Sequence, residues 1–345
     1  MPNMMSPQGK VSSRFLKTVV SPNCGYAFDA VPGHISGRST GFIEIGGKKV
    51  STVTKPLFFL PDLGLENASW FAMHYLFSAA ASTGLEMKYL TITLNLPRTC
   101  TDTLIESIWK TISAICVEYK VAIISSRIER NETCAFPWVG SATVICEGDR
   151  YFSPAFVKEE DSIIVTKGPA VSATALLTAM FPVTIAEKYG QEFVHKAIDV
   201  FNDVSAVEDV ETVKNIDGIH AMLNAADLGV SGSIIELAEN AGLGVALEDS
   251  YDMEYGVLDI CKLFGLDPDF SFSSGSLIIA CSSDAVDNII STLGAKGISA
   301  KRVGKFIKEG SGYLKVRFGI DIPLLRPRED LFWKVFNDSY KKGLK

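Results

Sequence analysis

Apolar and polar positions along the chain alternate between strand and helix periods. Residues 41–54 read as strand, turn, strand: Phe42-Ile43-Glu44-Ile45, then Gly46-Gly47, then Val50-Ser51-Thr52-Val53-Thr54. A Gly-Gly pair between two such runs signals a hairpin. Over 67–83 the apolar residues at 70, 71, 73, 77, 80 and 81 keep helical spacing, with Asn67 or Ser69 as cap and Gly84 as stop. Residues 89–96 are β-rich. Residues 101–119 predict an amphipathic helix on Leu104, Ile105, Ile108, Ile112, Ile115 and Val117. The runs 121–124 and 138–146 predict two further strands, the first short and buried.

A new block begins near Gly148. It opens with a strand over 162–166 that ends at Gly168, and helical patterns follow to about residue 215. Residues 230–241 predict a helix with Ile234, Ile235, Leu237 and Ala238 on one side, Glu236 and Glu239 on the other, and Gly242 as its stop. Beyond it come strand 245–247, helix 256–264, strand 277–281, helix 284–293, strand 298–306, a last strand at 314–318 and a last helix at 328–340. Strands and helices mix in both halves, as in α+β domains. The expected division is 1–148 and 149–345.

Composition agrees. At 345 residues the chain has room for two domains. Hydrophobic residues make up 47% and charged residues 21%, which excludes disorder and implies a large core. The formal charge of −7, with no polybasic block, argues against nucleic acid or an anionic membrane as partner. The two longest charge-free stretches, 67–85 and 169–186, are too polar or too broken to span a bilayer. Residues 1–13 hold no apolar signal-peptide core, so a cytoplasmic location is expected. The seven cysteines are widely spaced without a C-x-x-C pair, and read as small buried hydrophobes in a reducing compartment. The four histidines show no metal-ligand spacing.

Residues 218–246 read G-I-H-A-M-L-N-A-A-D-L-G-V-S-G-S-I-I-E-L-A-E-N-A-G-L-G-V-A. This resembles the A-M-H-D-P-T-x-G-G-V…E-L-A-E-A-S-G-V-G segment of the PurM-like superfamily. That superfamily includes aminoimidazole ribonucleotide (AIR) synthase, the hydrogenase maturation factor HypE, thiamine-monophosphate kinase and selenophosphate synthetase. Residues 52–84, 160–177, 263–280 and 326–333 resemble further superfamily segments in the same order, the last one the closing P-R-D-E-L-W of the AIR-synthase-related, HypE-like branch. The resemblance implies a two-domain PurM-like fold. Its first domain would carry the homodimer interface and a nucleotide site, with Mg-ATP in the adjoining cleft.

Holding a triphosphate takes carboxylates for Mg²⁺ and backbone N–H groups in Gly-rich turns. At the places where the resemblance puts them, this chain departs. The first acidic motif leaves one carboxylate, Asp29, as a candidate metal ligand or a turn residue before Pro32-Gly33. Lys55 stands at the second place, and Ser78-Ala79 at an Asn-Asp pair. Ser125-Ser126-Arg127-Ile128 stands at a Gly-rich turn, and the span from Asn224 to Gly229 at D-P-T-x-G-G. Lys55 and Arg127 read either as two cations flanking a phosphate or carboxylate, or as structural cations in a dead cleft. Asn224 and Asp227 are expected to cap the following helix. His74 is expected to be a packed or interface residue, His220 a strand-end residue, and Ser273-Ser274-Gly275 a structural turn. The chain ends in Lys-Gly-Leu-Lys where HypE proper carries its modified cysteine; with the sequence complete, that activity is not expected.

Two functions follow as expectations. One is an AIR-synthase-related, HypE-like protein whose Mg-ATP site is largely eroded, acting as a non-catalytic ligand-binding or interaction protein. The other is an active ATP-dependent enzyme (phosphotransfer, or amide or carbonyl activation), in which Lys55 and Arg127 replace part of the metal's charge. A phosphorylated small molecule bound by the same cations is a third, lesser reading. The residues themselves assign no cofactor and no catalytic group; ATP and Mg²⁺ enter only through the resemblance.

Overall fold

The computed structural model describes residues 15–20, 40–134, 137–248, 251–317 and 319–345. Asp29 and Cys24 lie outside them. Two compact units emerge, one holding Leu16–Tyr151 and the other Phe152–Lys345.

The first unit is a five-stranded sheet, ordered β1-β2-β5-β3-β4, with β1 Thr40–Ile45, β2 Lys48–Phe59, β3 Glu86–Pro97, β4 Ala122–Asn131 and β5 Trp138–Gly148. Gly46 (φ 60°) and Gly47 (φ 80°) close the β1–β2 hairpin with the two positive dihedrals that match right-handed strand twist. Along β2 the odd positions Val53, Leu57 and Phe59 are buried while Thr52, Thr54 and Pro56 are exposed, so one face of the sheet is covered. The cover includes helix α1, Leu65–Ala81. It buries residues on nearly every side because it also packs against helix α2, Asp102–Glu118. Thr101 caps α2, its hydroxyl accepting the Leu104 N–H.

Strand β4 corrects the sequence expectation. The apolar run at 121–124 does begin a strand, but the strand continues through Ser125-Ser126-Arg127-Ile128-Glu129-Arg130-Asn131 and is exposed along most of its length. Its backbone pairs in parallel with β3 out to Asn131, and that ladder does not depend on apolar side chains.

The second unit is a seven-stranded sheet, ordered β12-β11-β8-β10-β6-β9-β7. Its strands are β6 Ser162–Thr166, β7 Ile219–Asn224, β8 Gly244–Glu248, β9 Leu277–Cys281, β10 Ala300–Ile307, β11 Tyr313–Arg317 and β12 Ile320–Pro323. The interior strands β6 and β9 are buried at every position. On one face Ile163, Val165, Ala221, Ile278 and Ala280 pack with Ile234 and Leu237. These two belong to a helix, Gly229–Ala241, that is the seventh in chain order. Helices α3 Val171–Met180, α4 Pro182–Tyr189, α5 Gln191–Ala197 and α6 Val207–Val213 precede it, so it is α7. Helices α8 Val257–Phe264, α9 Val286–Gly294 and α10 Leu331–Lys341 follow. Phe181 contacts Phe264 and Phe336, and Phe332 contacts Phe272 and Phe336, an aromatic cluster that seats α10. Strand β12 follows the strand expected to be last. All four of its residues are exposed, so no inward apolar alternation marks it in the sequence. Among the described residues no helix is long and apolar enough to cross a membrane.

Candidate functional site

Lys55 and Arg127 do not meet. Lys55 pairs with Ala142 across β2 and β5, and its parity sends the side chain to the helix-covered face. There its ammonium lies 4.9 Å from the ring centroid of Tyr75 on α1, a cation–π contact. Arg127 pairs with Thr93, which pairs with Ser141. That row lies on the opposite face of the sheet, and it is three strand spacings from β2, about 14 Å. The guanidinium is exposed and gives Nε and Nη2 to one oxygen of Glu129, at 2.8 and 2.5 Å. The two cations therefore do not flank one anion within this unit, and the reading that paired them is corrected. The reversal of side-chain direction at each residue, counted along two strands joined through β5 and β3, sets them apart.

Ser78 is fully buried on α1, one turn beyond Tyr75. His74 is buried too. It stacks on Trp70 at 4.1 Å and meets Tyr119 edge-on at 5.7 Å. Burial drives its pKa down to about 4, so it is a neutral packing residue at physiological pH. Burial likewise pushes the thiols of Cys146, Cys261 and Cys281 up to about 12, which leaves them unreactive.

In the second unit three loops lock together. Asn224, at the end of β7, accepts the Gly275 N–H at 3.1 Å and donates to the Ser274 hydroxyl at 3.4 Å. Ser273 accepts the Ala170 N–H, Ser172 donates to the Ser274 carbonyl, and Ser276 donates to the Gly168 carbonyl. The Ser-Ser-Gly turn is thereby stapled to the loop between β6 and α3. Gly275 is required here: its φ is 102°, and a Cβ would fall 2.1 Å from the Asp203 carbonyl oxygen.

Beneath these loops lies a buried ion pair. Lys167 Nζ is 2.7 Å from Asp209 Oδ2 and 2.7 Å from the Ser205 carbonyl oxygen. Asp209 Oδ1 accepts the Thr166 hydroxyl at 2.6 Å, and that hydroxyl accepts the Leu277 N–H. The sequence reading missed this pair. Its only local signal is a lysine directly following a fully buried strand, Ser162–Thr166, and its partner lies 42 residues away.

The turn that opens α7 corrects a second expectation. Neither Asn224 nor Asp227 caps the helix. The N-cap is Leu228, in the left-handed region with φ 66°, and its own side chain makes no capping bond. The Leu228 N–H instead donates, at 2.9 Å, to Oδ2 of Asp330. Oδ1 of the same carboxyl accepts the Phe332 N–H at 2.8 Å, capping α10 as well. The left-handed turn displaces Asp227 from the capping position, and a carboxylate from 102 residues further on takes it. Asp330 is 7% exposed, and burial pushes its pKa up to about 7, against the two N–H donors. An acid directly before Leu331-Phe332-Trp333 is the sequence signal that could have found it. Next in the turn, Gly229 (φ 65°) is pressed against the carbonyls of Asp269 and Ser271.

His220 sits where the β7–β9 register slips, and donates or accepts through Nδ1 at 2.7 Å from Asp161 Oδ2.

With this geometry in hand, residues 158–317 match the family of AIR synthase related proteins, C-terminal domain. Among curated proteins, carbamoyl dehydratase HypE of Cupriavidus necator is 22% identical over 124 residues and that of Escherichia coli K12 26% identical over 125. Each match covers 34% of this chain and 35% or 37% of the relative, so the chain spans about a third of the length of these relatives. Among solved structures, AaThiL complexed with AMPPCP and TMP aligns with a TM-score of 0.66 at 19% identity, over 83% of this chain and 89% of that one. The HypE–HypF complex gives 0.64 at 14%, over 83% and 91%. Residues 158–317, somewhat under half of the chain, thus resemble the AIR synthase related family, and the chain as a whole has a two-domain PurM-like fold.

Proposed function

We propose that this chain is a HypE-like, AIR-synthase-related protein whose Mg-ATP site is eroded, and that it works as a non-catalytic ligand-binding or interaction protein. One observation carries the reading. The α7 turn, the place of the superfamily's D-P-T-x-G-G, is engaged by the chain's own groups: Asn224 by the Ser274-Gly275 turn, Leu228 N–H by Asp330, Gly229 by the 269–271 backbone. The other places fit Mg-ATP no better. A lysine over an aromatic ring, a buried serine and an arginine tied to Glu129 do not form an oxygen cage for a hard divalent ion. ATP and Mg²⁺ are therefore not assigned.

The partner in this reading is a protein, in keeping with the complex formed by HypE and HypF. A second copy of the chain is a further partner. The face of the five-stranded sheet away from α1 presents Tyr89 and Val139, both exposed, beside the half-buried Phe58 and Ile145, apolar surface that an association would bury. A cytoplasmic location completes the reading.

The test is calorimetric titration of ATP and ADP, with and without Mg²⁺, into the full chain. No Mg-dependent heat is expected. Micromolar Mg-dependent ATP binding overturns the reading in favour of an ATP-dependent enzyme with an unconventional site. Sedimentation at micromolar concentration tests the dimer.

A further inference from the structure

Lys167 stands where a side chain is strained. Its φ is 59°, in the left-handed region that favours glycine, directly before Gly168 at 74°. Its side chain is 8% exposed, and its ammonium meets oxygens from three places. Asp209 Oδ2, on α6, and the Ser205 carbonyl, just before α6, lie at 2.7 Å, and the Gly275 carbonyl of the Ser-Ser-Gly turn at 3.4 Å. An ammonium has three N–H groups, so each finds one acceptor.

The surroundings call for a cation. The Lys167 charge also acts on the half-buried Asp203, which feels Asp209 and Glu254 as well. These acids favour a positive group at their centre. Asp252 and Lys301, which line a small cavity beside Lys167, pair with each other at 3.0 Å. Three oxygens around a tetrahedral donor, with the fourth bond running to an alkyl stem, match a primary ammonium. A hard divalent ion takes about six or more. Asp209 is itself fixed, its other oxygen accepting the Thr166 hydroxyl at 2.6 Å. Gly275 carries the contact onward: its carbonyl accepts from the ammonium, and its N–H donates to Asn224 at the head of the α7 turn.

We propose that this oxygen cluster is a binding site for a primary ammonium group, filled in the native chain by Lys167 itself. The tethered ammonium is a positioning residue: it holds the Ser-Ser-Gly turn against Asn224 without any soluble cation. A side chain is kept at a left-handed position, where glycine would relax the backbone, because the ammonium it delivers closes these loops.

Truncation and chemical rescue of the full chain test the site. Lys167→Ala removes the stem and ammonium beyond Cβ, the same atoms that make up n-propylammonium. The variant should unfold at lower urea, and residues 203–209 and 273–277 should lose hydrogen-exchange protection. n-Propylammonium chloride should reverse both, raising the variant's folding constant about tenfold at ten times its dissociation constant. Methylammonium should do less, and tetramethylammonium or sodium at equal ionic strength nothing. The wild-type chain should not respond. Lys167→Gly relieves the left-handed strain and deletes Cβ as well, so n-butylammonium should serve it best; it carries the test should Lys167→Ala not fold. An equal response of wild type and variant to the matching amine overturns the proposal. Rescue by tetramethylammonium or potassium as strong as by that amine does so too, as does an optimum chain length in Lys167→Gly shorter than n-butyl.

Discussion

The ammonium of Lys167 lies 2.7 Å from a carboxylate oxygen of Asp209, with both side chains almost wholly withdrawn from water. Among the described residues neither side chain forms a second ion pair, although the Lys167 charge also acts on Asp203, so the two depend chiefly on each other. Removing one partner strands the second. Lys167→Ala should destabilise the second unit by about 3–5 kcal/mol, read as a shifted urea midpoint. A loss under about 1 kcal/mol would mean that Asp209 is satisfied without the lysine.

Gly275 and Gly242 both hold positive φ, at 102° and 71°, but differ in their surroundings. A Cβ on Gly275 would strike the Asp203 carbonyl oxygen and the Val204 backbone, whereas one on Gly242 meets nothing within 4 Å. Gly242→Ala should therefore cost only the backbone term, about 1–2 kcal/mol. Gly275→Ala should cost more than about 3 kcal/mol, because rigid backbone must move. Equal losses in the two variants would show that the loop at Asp203 gives way.

Opposite faces of one sheet should make Lys55 and Arg127 energetically independent. Arg127→Ala should cost less than about 1 kcal/mol, the value of an exposed ion pair. Lys55→Ala should lose a cation–π contact of about 0.5–2 kcal/mol. Their coupling in a double-mutant cycle should vanish within about 0.5 kcal/mol. A coupling above about 1 kcal/mol, in stability or in phosphate affinity, contradicts the geometry.

His74 makes the first unit sensitive to acid. Its pKa is about 4 in the fold, against 6.5 when unfolded, so the unfolded chain takes up the proton first. Stability should fall as pH drops from about 6.5 to 4, by up to about 3 kcal/mol. His74→Phe should flatten that slope. An imidazole titrating near 6.5 in the native protein, seen by NMR, would contradict the burial.

Much of the architecture was legible because its core elements carry clean periods. The α7 pattern of Ile234, Leu237 and Ala238 against Glu236 and Glu239 is one case, and the Gly46-Gly47 turn is another. What escaped was what side-chain period does not encode. Strand β12 is exposed throughout, and β4 extends along β3 by backbone pairing alone. The candidate site was less legible for a related reason. A motif position says which residue stands somewhere, not which way it faces. Lys55 and Arg127 stand where the sequence resemblance puts the superfamily's site, yet strand parity separates them. Asp227 stands where a cap belongs, yet the left-handed Leu228 displaces it in favour of Asp330. Pairs such as Lys167 with Asp209 arise from tertiary closure, and a lysine after a buried strand does not say which acid it will meet.

The exposed β4 also has a colloidal consequence. Among the described residues it is the last strand of its sheet, so one side of its backbone presents open donors and acceptors to any extended chain. Ile124 and Ile128 would favour such zipping. Arg127, Glu129 and Arg130 interrupt them with charge and keep that rim hydrated. A residue first considered as a ligand for phosphate thus guards the sheet against its own kind of self-templated growth.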